Sequence, residues 1–118
     1  MLTPYEVATL AVSTLDSKKA LDIKLLKTTE ITVLADYFVI CTASSTTQLK
    51  TLPDELDKVL SAAGEVPLRR EGYRSSSWVL IDYGAVVIHL FLSETREFYS
   101  LERLWGDAED IDISMMVT

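Results

Sequence analysis

Two apolar strands that meet at a tyrosine–glycine pair constrain this chain more than any other feature. Trp78-Val79-Leu80-Ile81-Asp82 and Ala85-Val86-Val87-Ile88-His89-Leu90-Phe91-Leu92 flank Tyr83-Gly84. Both runs are rich in aromatic and β-branched residues, so the segment reads as a β-hairpin. Side chains alternate across a strand. With Tyr83-Gly84 as a two-residue turn, one face carries Trp78, Leu80, Val87, His89 and Phe91. The other carries Val79, Ile81, Val86, Ile88 and Leu90. Tyrosine disfavours positive φ, so a bulged turn with Gly84 alone left-handed is the alternative, and it shifts the pairing. Both faces are apolar in either register. The plain reading is a central hairpin covered by helices on both sides, since most apolar strand residues are core. The sharper reading leaves one face partly open as a patch for a partner.

The rest of the chain alternates helix and strand signals. Thr3-Pro4-Tyr5-Glu6 opens a helix: Thr3 can cap, Pro4 suits the first helical position and Glu6 can close a capping box. Val7, Leu10, Ala11 and Leu15 follow on one face, and Lys18 and Lys19 suit its negative end. Ile23–Lys27 reads as a strand with lysines at its edges. Asp36–Ala43 is a second strand without clean alternation, which predicts a central position covered on both faces. After the polar turn Ser44–Thr47, a second helix spans about Thr46 to Ala63, with its stripe at Leu49, Leu52, Leu56, Val59 and Leu60 and a stop at Gly64. Pro53 inside this span predicts a kink or a later start. Val66-Pro67-Leu68-Arg69-Arg70 is a short edge strand. Ser93 caps a last helix that carries Phe98, Leu101 and Trp105 on one side and ends at Gly106. The order αββαβββα predicts a single α/β domain with a mixed β-sheet and flanking helices over residues 1–108. Residues 109–118 are expected to be an acidic, flexible tail.

Composition narrows the function. The chain has 118 residues, 48% of them hydrophobic, enough for one cored domain. No apolar run approaches the roughly 20 residues that span a bilayer, and the first residues lack the pattern of a secretory or transit signal; a cytoplasmic protein is expected. The net charge of −7 makes the chain a poor ligand for bare nucleic acid, whose binding depends on lysine and arginine displacing counterions. It suits docking on a basic protein. The one cysteine, Cys41, excludes a disulfide framework and a multi-cysteine metal site.

Each candidate for chemistry has a plainer reading. His89 is the single histidine; no nucleophile or orienting carboxylate is evident beside it, so a structural role is expected. Cys41 lies in a hydrophobic strand and reads as an inert small hydrophobe. Asp110-Ile111-Asp112 has the spacing of paired metal carboxylates, but no phosphate-binding glycine loop accompanies it. Arg69, Arg70, Arg74 and Ser75 to Ser77 form a basic, polar stretch interrupted by Glu71, read as a solvated strand end and loop. No catalytic residue, cofactor or metal ligand is expected.

Three ordered blocks resemble a known family. Asp36-Tyr37-Phe38-Val39-Ile40-Cys41, followed by a Ser/Thr-rich turn and Gln48, is similar to its D-Y-F-V-I-C-x-x-x-S-x-x-Q segment. Glu71-Gly72, Trp78–Gly84 and Val86-Val87-Ile88-His89 resemble its E-G…W-V-L-L-D-Y-G-D-V-V-V-H block. Arg96, Phe98-Tyr99, Leu101-Glu102 and Leu104-Trp105 resemble its closing R-x-F-Y-x-L-E-x-L-W. The family is the RsfS/Iojap group of ribosomal silencing factors, and the resemblance covers Thr3 to Ala108. It departs at Ala85, where the family usually has an acid, and at Ala43-Ser44, where it usually has serine-glycine. The resemblance implies a nucleotidyltransferase-like fold without catalytic residues. It implies binding to large-subunit protein L fourteen, steric blocking of subunit joining, repression of translation and self-association of the free protein. Carried over residue by residue, it implies a partner-binding site at Trp78, Leu80, Asp82, Tyr83 and Gly84. Two other functions remain open: a nucleotidyltransferase-like enzyme, and an oligomeric interaction module with a non-ribosomal partner.

Overall fold

The structure is a computed structural model that describes residues 2–28, 35–72, 77–93 and 108–117. Helix α1 (Pro4–Ser17) starts as its sequence dictates. Glu6 N–H donates to Thr3 Oγ1 at 3.1 Å and Thr3 N–H donates to Glu6 Oε1 at 2.9 Å, a complete capping box. Its end is a Schellman turn with Lys19 at φ +65°, in which Ala20 N–H donates to the Leu15 carbonyl at 3.0 Å and Lys19 N–H to that of Asp16 at 2.9 Å. Helix α2 (Thr46–Ala62) ends the same way at Gly64, the expected stop, with φ +90°. Its start is at Thr46, capped by Ser45, so Pro53 lies within the helix and does not delay it. The proline ring is buried against the core, which offsets the missing hydrogen bond.

The six strands are β1 (Leu21–Lys27), β2 (Tyr37–Ala43), β3 (Arg69–Glu71), β4 (Trp78–Asp82), β5 (Val86–Leu92) and β6 (Glu109–Ile111). They form one mixed sheet in the order β3-β4-β5-β2-β1-β6. Only β2 and β5, at its centre, run parallel. Every residue of β2 after Tyr37 is buried, as a central strand covered on both faces must be. Helices α1 and α2 pack together on one face, over Leu25, Val39, Cys41, Val79, Ile81, Ile88 and Leu90. The other face holds Leu26, Phe38, Ile40 and Phe91, also buried. The expected last helix, with Phe98, Leu101 and Trp105, lies outside the described residues.

Three local expectations are corrected. The hairpin loop is Gly84-Ala85, not Tyr83-Gly84: Tyr83 N–H donates to the Val86 carbonyl at 2.9 Å, and Trp78 pairs with Phe91. Gly84 has φ +87° and Ala85 is not left-handed, so the one left-handed position of the loop falls on glycine and the tyrosine is spared a positive φ. The register slides by two residues, so the two faces keep the composition read from the sequence. The short strand expected over 66–70 is Arg69–Glu71 and stands at the sheet edge, with Pro67 before it. Finally, the acidic end is not a free tail. Glu109–Ile111 closes the far edge by pairing with β1, and Ile111, Ile113, Met116 and Val117 pack against the core. Lys24 meets Asp110 across the strands at 3.8 Å.

A candidate docking face on strand β4

The two strands of the hairpin differ in burial. In β5, Ile88, His89, Leu90 and Phe91 are all buried, so both faces are covered. In β4 burial alternates: Val79 and Ile81 enter the helix-covered core, whereas Trp78, Leu80 and Asp82 are half-buried on the opposite face. The cause is position. β4 lies next to the edge, and its outer neighbour β3 is only three residues long, pairing with Leu80, Ile81 and Asp82.

Trp78 is held from two sides. Its ring stacks on Phe91 with centroids 5.1 Å apart and planes at 25°, and its Nε1–H donates to His89 Nδ1 at 3.2 Å. With Leu80, Glu71 and Gly72 it lines a groove of about 230 Å³. The Asp82 carboxylate organises the turn: Oδ1 accepts from Gly84 N–H at 2.7 Å, and Oδ2 lies 3.4 Å from Arg69 Nε. Tyr83 belongs elsewhere. Its ring packs against the helix-side core, and burial, with the Asp57 charge adding to it, pushes its hydroxyl up to about 12. Gly84 sits at the hairpin tip, where a Cβ would lie 3.6 Å from Leu68 Cδ1. The five site residues expected from sequence therefore divide into three on one face, one on the other and one at the tip.

Sequence reasoning missed two residues of the groove. Glu71 and Gly72 complete the groove. A signal for them was present: Glu71-Gly72 stands in the same family block as Trp78–Gly84.

The other candidates are accounted for structurally. His89 is 4% exposed, and burial lowers its imidazole to about 4, so it is neutral at pH 7. Its ring meets Phe38 edge-on at 4.9 Å, and its Nε2 makes no hydrogen bond among the described residues. Cys41 is buried too, but the strand parity that pairs Ile40 with His89 turns Cys41 to the helix side. The two cannot form a thiolate–imidazole pair. Arg70 lies 3.5 Å from Asp57 and 3.7 Å from Asp54. Asp112 Oδ1 accepts from Ser114 N–H at 2.9 Å, which holds its carboxyl below the usual range. Gln48 ties the helices together, its Nε2 donating to the Lys18 carbonyl at 2.9 Å. Among the described residues no group of three or more His, Cys, Asp or Glu could hold a metal ion. Arg74, Ser75 and Ser76 lie outside the described residues.

The architecture is thus a small mixed α/β domain whose conspicuous surface feature is a half-open, apolar-and-acidic strand face. The chain belongs to the ribosomal silencing factor family: the model described as "Ribosomal silencing factor during starvation" matches residues 2–118. It is 40% identical over 117 residues to ribosomal silencing factor RsfS of Halalkalibacterium halodurans, covering 99% of this chain and 100% of that one. A crystal structure of a Chromobacterium violaceum protein superposes with a TM-score of 0.86 at 35% identity, over 89% of this chain and 88% of the other. The mouse protein named mitochondrial assembly of ribosomal large subunit protein 1 is 37% identical over 97 residues, which is 80% of this chain and 42% of the mouse protein. Among the described residues, no helix is long and apolar enough to cross a membrane.

Proposed function

We propose that this protein represses translation in the cytoplasm by occupying the large ribosomal subunit. In this reading the β4 face docks on protein L fourteen, and the bulk of the domain then keeps the small subunit from joining. The observation that carries the reading is the one-sided burial of β4, which leaves Trp78, Leu80 and Asp82 half-exposed in a chain of this family. A rigid aromatic anchor beside a carboxylate is the chemistry that suits a basic protein surface. The net charge of −7 favours such a partner over bare RNA. The name of the mouse relative supports the large subunit as the target. The protein is then a binder and not an enzyme, and its free form self-associates.

Co-sedimentation with purified subunits tests the reading. The protein should pellet with large subunits and not with small ones, and pre-loaded large subunits should fail to form whole ribosomes. Equal recovery with both subunits, or with neither, would overturn the assignment.

A further inference from the structure

The ring beneath the β4 face has its chemistry set by one hydrogen bond. An indole N–H can only donate. Trp78 Nε1 lies 3.2 Å from His89 Nδ1, so that nitrogen carries the lone pair and the imidazole proton sits on Nε2. The acceptor is itself closely packed. The His89 ring is 4% exposed, lies 11° from parallel with Phe91 and meets Phe38 edge-on. Stacking on Phe91 fixes the plane of the indole but not which edge of it points inward, because a half-turn about χ2 keeps the ring in the same plane. The N–H bond to His89 favours one of these two orientations. A leucine or phenylalanine at position 89 would fill the same apolar space without stranding a ring nitrogen; what histidine adds is the acceptor.

We propose that His89 is a positioning residue for docking: its Nδ1 lone pair selects the χ2 orientation, and so the outward edge, of the indole that Trp78 offers to the ribosomal partner. The inference rests on the docking role proposed for β4. His89 never touches the partner in this scheme and acts only through Trp78.

The chain has a single histidine, so nitrogen NMR reads its ring without ambiguity. At neutral pH the unsubstituted protein should show Nε2 protonated and Nδ1 bare; the opposite tautomer overturns the proposal with no substitution needed. The Trp78 indole N–H signal is identified by its loss in Trp78→Phe. His89→Phe keeps an aromatic ring and removes the acceptor. His89→Asn places a side-chain oxygen near the position of Nδ1. His89→Phe should speed exchange of the Trp78 indole proton and weaken binding to purified large subunits by roughly tenfold, about the worth of one hydrogen bond. His89→Asn should restore both in part. Undiminished binding by His89→Phe, or equal loss in the two variants, overturns the positioning role. Trp78→Ala separates this failure from that of the docking reading. If Trp78→Ala binds normally, both fall; if it binds weakly while His89→Phe does not, only the inference about His89 falls.

Discussion

Acidification should destabilise this fold through His89, by an amount that follows from its surroundings. Burial among Phe38, Trp78 and Phe91 takes the imidazole from 6.5 to about 4 in the folded protein, whereas in the unfolded chain it titrates near 6.5. On acidification the unfolded state is therefore protonated first. Between about pH 6.5 and 4 it binds more protons than the folded state, so stability falls as pH falls. The contribution of His89 is complete above the unfolded value, shrinks across this window and levels off below it. At about 1.4 kcal/mol per unit the window amounts to about 3 kcal/mol. That is a large share of the roughly 5–15 kcal/mol that holds a domain of this size. Urea unfolding from pH 7.5 to 4 should be compared between the unsubstituted protein and His89→Asn, which cannot titrate but can still accept from Trp78. Exposed carboxylates are common to both proteins, so the difference between the curves isolates the imidazole. The unsubstituted protein should lose about 3 kcal/mol more than the variant across the window. Parallel curves would show that His89 titrates as it does in water and that the argument from burial is wrong.

Leu56→Ala, at a fully buried α2 position, should lower stability by about 2–5 kcal/mol, read as a drop in Tm. Trp78→Ala should lower stability by less than the roughly 3–5 kcal/mol of a fully buried ring, because Trp78 is half-buried, and should weaken binding to isolated protein L fourteen by about 2 kcal/mol; a large fall in Tm with undiminished affinity would mark Trp78 as purely structural. Gly84→Ala should cost about 1–2 kcal/mol through φ +87° alone, since the new methyl has room beside Leu68; thermal melting measures it. Raising ionic strength beyond the point where the Debye length is about 8 Å should slow association with large subunits, and an on-rate independent of salt would remove charge steering from the reading.

Local chemistry was legible where one residue type has one use. The Thr3–Glu6 box and the stop at Gly64 stand where the sequence puts them, because capping satisfies backbone groups within a single turn. The two faces of the hairpin were legible too, since strand parity survives a slide of two residues. The slide itself was not. The loop is pinned from outside the hairpin, with the Ala85 carbonyl accepting from Asp36 N–H at 2.7 Å and Tyr37 N–H at 3.1 Å. The closing strand was missed because its charge hid its alternation. Ile111 and Ile113 face the core from an acidic segment, and Asp110 lies 3.8 Å from Lys24 on a strand distant in sequence. For the candidate site, Tyr83 read from sequence falls in the turn, where parity is not applied to it, and only the observed register sets it apart from Trp78, Leu80 and Asp82. Grouping the five by motif blurred a division that the pleat makes.

The groove on β4 also has a cause in the chain. Strand β3 stops at Glu71, opposite Leu80, so Trp78 and Val79 have no β3 residue across from them. Gly72 follows at φ +77°, a backbone turn that an extended strand cannot take, and it ends the pairing there. Had β3 run two residues further, it would have covered the strand level with Trp78 and filled the space that Glu71, Gly72, Trp78 and Leu80 now line. On the far side of β4 the helices bury Val79 and Ile81, which gives the strand the rigidity that a precise binding surface requires. One strand thus serves two needs through its pleat. Its inward residues fasten it to the core, and its outward residues, left half-open by a short neighbour, are the ones that the proposed docking would use.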